Sequence, residues 1–181
     1  MATMRVVASD DLRAEEVAAL RDLFDAAWGN KGSAFTQEDF DHAFGGTHFI
    51  VEHEGRIVSH GSVIARELHS GHLRLTTGYV EAVATMPSRQ GRGHGSTVME
   101  AIGAHIDATF QLGALDTGIP GFYEPMDWFV WKGPTYVRME RGPEPTPDED
   151  GLVLVRRTPA TPSDLDPTAP LSCEWRAGDV W

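Results

Sequence analysis

Apolar positions along this chain follow a helical rhythm, then an alternating one, then a helical one again. Leu12, Val17, Leu20 and Phe24 lie on one side of a helix predicted over residues 12–28, and Asp10 or Asp11 stands where its N-cap is needed. Val6-Val7 ahead of it is a short strand candidate. Gly29-Asn30-Lys31-Gly32-Ser33 breaks the helical pattern. Thr36 then caps a second short helix over residues 37–44, with Asp39 completing a T-x-x-D cap, and Gly45-Gly46 ends it.

Alternation takes over next. Residues 48–53, 56–68 and 72–85 read as three strands joined by turns at Glu54-Gly55 and Ser70-Gly71, an antiparallel meander. Helical spacing returns with Val98, Ile102, His105, Ile106 and Thr109, giving a helix from about residue 93 to 110. Ala114-Leu115 is a short strand candidate, Gly118-Ile119-Pro120-Gly121 opens a short segment through Phe122 and Tyr123, and residues 128–131 and 152–156 are late strands. Residues 142–151 hold three prolines and a run of acids, so an exposed acidic loop with no packed element is expected there. Residues 158–170 form a proline-rich connector, and residues 174–181 close the chain. This order predicts one α/β domain over residues 1–181, a mixed central sheet flanked by helices.

Charge narrows the partners. A net charge of −12 argues against nucleic acid and anionic membrane surfaces, and suits a cationic partner. No apolar run approaches a membrane span, and residues 1–10 lack a signal-peptide layout, so a cytoplasmic location is expected. The single Cys173 excludes a disulfide within the chain and reads as a buried structural thiol. The histidines show no metal pattern, His69-x-x-His72 lying across a turn, and no metal is expected.

The stretch richest in chemistry is Arg89-Gln90-Gly91-Arg92-Gly93-His94-Gly95, set between the strand Gly78-Tyr79-Val80-Glu81-Ala82-Val83-Ala84-Thr85 and a helix. A glycine-rich turn that opens a helix presents backbone N–H groups and a positive dipole end, a seat for phosphate. It lacks the Gly-Lys-Ser/Thr ending of a P-loop and the spacing of a dinucleotide fingerprint. Gln90-x-x-Gly93-x-Gly95 resembles the Q/R-x-x-G-x-G/A pyrophosphate motif of the GNAT acetyltransferases, and Phe122-Tyr123 followed by Asp127-Trp128-Phe129 resembles their later tyrosine motif. From about residue 35 to 181 the chain is similar to the aminoglycoside 2′-N-acetyltransferases within that family. The signposts are Phe44-Gly45-Gly46, Gly78-Tyr79-Val80-Glu81, Gln111-Leu112-Gly113-Ala114-Leu115, Thr146-Pro147-Asp148-Glu149-Asp150-Gly151 and the closing Cys173-Glu174-Trp175-Arg176-Ala177-Gly178-Asp179-Val180-Trp181.

The resemblance implies a GNAT fold and acetyl-CoA as cosubstrate. The strand edge at Val83, Ala84 and Thr85 would pair with the pantetheine amides, and the backbone of Gln90, Gly91, Arg92, Gly93, His94 and Gly95 would cradle the pyrophosphate, with Arg89 and Arg92 adding positive charge. A strand bulge would aim the Val83 N–H at the acetyl oxygen. Glu81, a carboxylate among Val80, Ala82 and Val83, would take the amine proton directly or through water, its pKa raised by desolvation. Tyr123 would protonate the departing thiolate, with no acetyl-enzyme. Asp39, Glu81, Ala82, Asp116, Glu149, Asp150, Asp179 and the carboxylate of Trp181 would hold a cationic aminoglycoside. This chain departs from its close relatives at Ala34, where they carry an acid, at Asp116, where they carry a small hydroxyl residue, and at residues 118–121, where they carry an Arg-rich helix. A homodimer is expected. The alternatives are acetylation of another amine (kasugamycin, a polyamine or a protein N-terminus) and a non-catalytic protein that binds acyl-CoA or drug.

Overall fold

The computed structural model describes residues 2–29 and 36–181; the expected break at residues 30–33 and the departure at Ala34 lie outside them. The chain forms two units, Met1–Ile64 with Val80–Ile102, and Ala65–Tyr79 with Gly103–Trp181. Among the described residues, ten strands and four α-helices make a mixed α/β architecture, with helices flanking sheet, as the alternating and helical rhythms predicted.

In the first unit β1 (Ala2–Ala8) pairs antiparallel with β2 (Thr47–His53), which pairs antiparallel with β3 (Arg56–Ser70). The turn between them holds Glu54 and Gly55 at φ 54° and 72°, the left-handed pair that matches strand twist in a tight hairpin. Helix α1 (Ala14–Trp28) buries Leu20, Leu23 and Phe24, and α2 (Gln37–His42) buries Phe40. The expected cap at Asp10 or Asp11 is not used: both sit in a 3-10 turn, and α1 starts at Ala14. Arg13 takes the cap position because Glu16 turns back to accept its amide at 2.9 Å. The Arg13 side chain and amide, aided by Arg5, hold the Glu16 carboxyl down at about 2. For α2 the expected box forms, the Asp39 amide donating to Thr36 Oγ1 at 3.1 Å and the Thr36 amide to Asp39 Oδ2 at 2.9 Å. That helix ends at His42, short of the expected residue 44.

Strand β4 (Leu73–Thr85) and helix α3 (His94–Thr109) each contribute to both units. In the first, α3 lies so close to β3 that a Cβ on Gly61 would stand 2.8 Å from Ile102 Cδ1 and 3.0 Å from Val98 Cγ1.

In the second unit the first half of β4 runs parallel to β5 (Leu112–Asp116), β5 antiparallel to β9 (Val153–Arg157), and β9 antiparallel to β6 (Phe129–Val130). The end of β3 pairs antiparallel with β10 (Leu171–Glu174), which runs parallel to β7 (Thr135–Met139). Helix α4 (Pro120–Tyr123) is a single turn. A buried cluster of Leu68, Leu75, Tyr79, Leu112, Trp131, Leu171 and Trp181 fills this unit.

Three elements here go beyond the sequence expectation. Strands β7 and β10 are short, and each is held by its partner rather than marked by a long alternating run. The region 142–151 is expected from its prolines to hold no packed element, yet Gly142–Pro145 is strand β8, antiparallel to β7, and Pro147–Glu149 is a 3-10 turn. β8 is the last strand of its sheet and has one partner among the described residues, so Pro143 and Pro145 lose no ladder bond on the open side.

Candidate active site

Strand β4 leaves regular geometry at Ala82, whose φ of 49° puts a residue with a Cβ in the left-handed region inside a strand. Such a residue re-aims the peptide that follows it, which is the Ala82–Val83 bond. The carbonyls on either side are held by side chains of β3. Ser59 Oγ donates to Ala84 O at 2.9 Å, Ser62 Oγ to Glu81 O at 3.4 Å, and the His60 imidazole meets Ala82 O at 2.9 Å. Glu81, Ala82, Val83 and Thr85 are half-buried, and Ala84 is buried.

After β4 a 3-10 turn at Pro87–Arg89 leads into the glycine loop. Gln90 Nε2 donates to Thr85 O at 3.3 Å, tying the loop to the strand end, and Arg89 pairs with Glu54 at 3.3 Å. Gly91 and Gly93 have φ of 72° and 82°, and the space where a Cβ would stand is open at both. Thr97 donates its amide to Gly93 O at 2.9 Å, one turn into α3. The amides of His94, Gly95 and Ser96 precede that bond and face the loop end of the helix dipole. A diphosphate fits this cradle: exposed backbone without Cβ groups, a helix N-terminus, and the exposed Arg92.

The second unit holds the other expected residues. Tyr123 ends α4 and is buried; burial first, then the charge of Asp116, push its phenol up to about 12 against the pull of a hydrogen bond with Thr117. Burial, and then repulsion from Asp116, Asp179 and Asp148, push the Glu149 carboxyl up to about 7. Asp116, Glu149 and Asp179 therefore gather, and Asp148, part of the Thr146–Gly151 signpost but not named from sequence as a ligand, gathers with them. Asp150 also braces the fold: its Oδ1 accepts from the Thr135 amide at 2.8 Å and from the Thr135 hydroxyl at 2.9 Å. In the first unit the Asp39 carboxylate likewise caps α2.

The closing segment is fastened at several points. The buried Trp181 ring donates from Nε1 to Thr146 Oγ1 at 2.9 Å, its amide donates to Asp179 Oδ1 at 3.2 Å, and Arg176 donates to its main-chain oxygen at 3.0 Å. Arg66, buried in β3, donates to Glu174 Oε1 at 2.9 Å, to Glu174 O at 3.1 Å and to Val180 O at 2.8 Å. Cys173 is buried, its thiol pushed up to about 11 by that burial, and it donates to Val180 O at 3.2 Å. Arg66 stands outside the candidates named from sequence, although the period-two phase of Leu68 and Ser70 places it on their buried face.

The Acetyltransferase (GNAT) domain family matches residues 9–130. An aminoglycoside 2′-N-acetyltransferase of Mycolicibacterium fortuitum is 36% identical over 183 aligned residues, covering 99% of this chain and 92% of that protein. The GNAT family N-acetyltransferase YhbS from Escherichia coli, in complex with CoA, gives a TM-score of 0.66 at 11% identity, over 95% of this chain and 89% of that one. A GCN5-related N-acetyltransferase from Kribbella flavida gives 0.59 at 16% identity, over 74% of this chain and 34% of that one, so this chain spans about a third of that longer protein. The two solved structures share the fold. The family match over residues 9–130 and an end-to-end relative at 36% identity together place the sequence: this chain belongs to the GNAT acetyltransferase family.

Proposed function

We propose that this chain transfers an acetyl group from acetyl-CoA to the 2′-amino group of an aminoglycoside. The observation that carries the acceptor is the set of acids around Glu149, whose mutual repulsion helps lift that carboxyl to about 7. Like charges held this close are stabilised by cations, and an aminoglycoside brings several ammonium groups. The relative named for this reaction supports the same acceptor. Residues 1–181 act as one domain in this reading, in the cytoplasm and as a homodimer.

The chemistry follows from the residues. Backbone amides of residues 90–95 bind the diphosphate of the cosubstrate, and the edge of Val83, Ala84 and Thr85 takes its pantetheine arm. Glu81 accepts a proton from the ammonium, directly or through one water, and frees the nitrogen lone pair. That nitrogen attacks the acetyl carbonyl carbon, and the Val83 N–H faces the negative charge that grows on the oxygen. The C–N bond forms, the C–S bond breaks, and Tyr123 returns a proton to sulfur. A phenol at about 12 remains protonated throughout the neutral range, as an acid must before its turn. Glu149 supplies a second candidate for the base, since a carboxyl at about 7 is matched to neutral pH.

The test is CoA release with a panel of amines, the product located by NMR. Acetylation at the 2′ nitrogen of 2′-amino aminoglycosides, with no turnover of 2′-hydroxyl ones, is the expected result. Faster turnover of kasugamycin, a polyamine or a peptide N-terminus would replace the acceptor. Binding of acetyl-CoA and drug without turnover would make the chain a binding protein.

A further inference from the structure

The left-handed residue of β4 is held by a buried chain of side chains that no part of the reaction uses. His60 Nδ1 lies 2.9 Å from Ala82 O, His60 Nε2 lies 2.9 Å from His48 Nδ1, and His48 Nε2 lies 2.8 Å from Ser9 Oγ. Ser9 Oγ accepts from the amides of Gly45 and Gly46 at 2.9 and 3.1 Å. Both imidazoles are fully buried, with the rings of Phe24 and Phe44 against them.

The proton positions follow in one direction. A carbonyl oxygen only accepts, so His60 carries its proton on Nδ1 and offers a lone pair at Nε2. His48 must then donate from Nδ1, and its own Nε2 accepts. The Ser9 hydroxyl donates to that nitrogen, the nearer of its two acceptors, the other being Gly46 O at 3.2 Å. Every link is satisfied by neutral rings, and burial favours the neutral form of both. A regular strand neighbour would offer the Ala82 carbonyl a backbone N–H. A side-chain donor of fixed length does so here, and it suits a carbonyl displaced by a left-handed residue.

We infer that His60, oriented by His48 and Ser9, is a positioning residue that fixes the left-handed Ala82 and so sets the direction of the Val83 amide. This rests on the proposed acetyl transfer, in which that amide meets the acetyl oxygen. His60 touches no reacting atom in it. A displaced donor lowers the rate of the chemical step, while cosubstrate affinity, which depends on the glycine loop, is kept.

Three substitutions test it. His60→Asn keeps an N–H on the atom attached to Cγ, where Nδ1 sits, and loses the reach to His48. His60→Gln does the reverse, and His60→Leu loses both. His60→Leu and His60→Gln are expected to lower kcat on the order of 10- to 100-fold with acetyl-CoA KM within about threefold of wild type, and His60→Asn to recover most of it. Equal kcat in the Asn and Gln variants, or wild-type kcat in the Gln variant, would overturn the inference. Two measurements need no turnover. Histidine nitrogen NMR of the wild-type protein is expected to find the proton on Nδ1 of both rings, and a crystal structure of the Gln variant to find Ala82 outside the left-handed region. An Nε2–H ring at His60, or an unmoved Ala82, sinks the positioning claim even if no amine proves to be a substrate. Wild-type turnover with no effect of His60 sinks it while leaving the function standing.

Discussion

His48 Nδ1 and His60 Nε2 meet at 2.9 Å inside a fully buried site, so two imidazoles share one proton between facing nitrogens. A further proton would have to go on an Nε2 that already accepts a hydrogen bond, and burial holds His48 and His60 down at about 4 and about 3. Unfolded, both take protons near the ordinary histidine value of about 6.5. The unfolded state therefore binds more protons than the folded state in the window below about 6.5, and stability falls as pH falls through it. Unfolding free energies from urea titration are expected to drop between about pH 7 and about pH 4.5, by up to about 1.4 kcal/mol per histidine per pH unit. A His48→Leu protein that folds should show a shallower decline; an equal slope would remove the pair as its cause.

Glu149 has the opposite sign. Its folded value of about 7 lies above the unfolded one, so the folded state binds more protons from about pH 4.5 to about 7. Its charge thus opposes folding at alkaline pH, by on the order of 1 to 2 kcal/mol once screening at this half-buried site is allowed for. Glu149→Gln is expected to raise the melting temperature at about pH 8 and to leave it nearly unchanged at about pH 4.5, and to weaken aminoglycoside binding at about pH 8 far more than at about pH 4.5.

Tyr123→Phe deletes one hydroxyl from a buried ring. It is expected to lower kcat on the order of 10- to 100-fold and to leave acetyl-CoA KM within about threefold. With the phenol at about 12, wild-type activity should show no loss from its ionisation up to about pH 10. A high-pH limb that vanishes in Tyr123→Phe would contradict this placement of its pKa.

Gly46→Ala probes the far end of the histidine chain. A Cβ on residue 46 would stand 2.0 Å from Val63 O, a backbone atom that cannot swing aside. The Gly46 amide also donates to Ser9. A loss of about 3 kcal/mol or more is expected in urea unfolding. A loss under about 1 kcal/mol would mean that β2 and β3 part there at little cost.

Much of the first unit is legible in the sequence because its signals are local. The turn at Glu54-Gly55, the Thr36–Asp39 cap and the glycine loop each depend on residues a few positions apart, and such spacing survives any tertiary arrangement. The same local reading fails at residues 142–151, where prolines argue against a strand that only an edge position permits. It also fails at α1, where Glu16 reaching back to Arg13 displaces two better cap residues.

By itself the sequence determined the order of elements as far as β6, the family motif and the set of acids from which the candidate site is drawn. Tertiary structure decided what those residues do with their polar groups. Asp150 reads from sequence only as an acceptor for a ligand, and its carboxylate also holds the Thr135 amide, while Asp39 holds the Thr36 amide as its cap spacing predicts. Ser9, His48 and His60 share no local motif, being 51 positions apart from first to last. Only the pairing of β2 with β3 puts the two histidines side by side, and only burial makes their protons a matter of geometry, because a hydrogen bond left unmade there has no water to replace it.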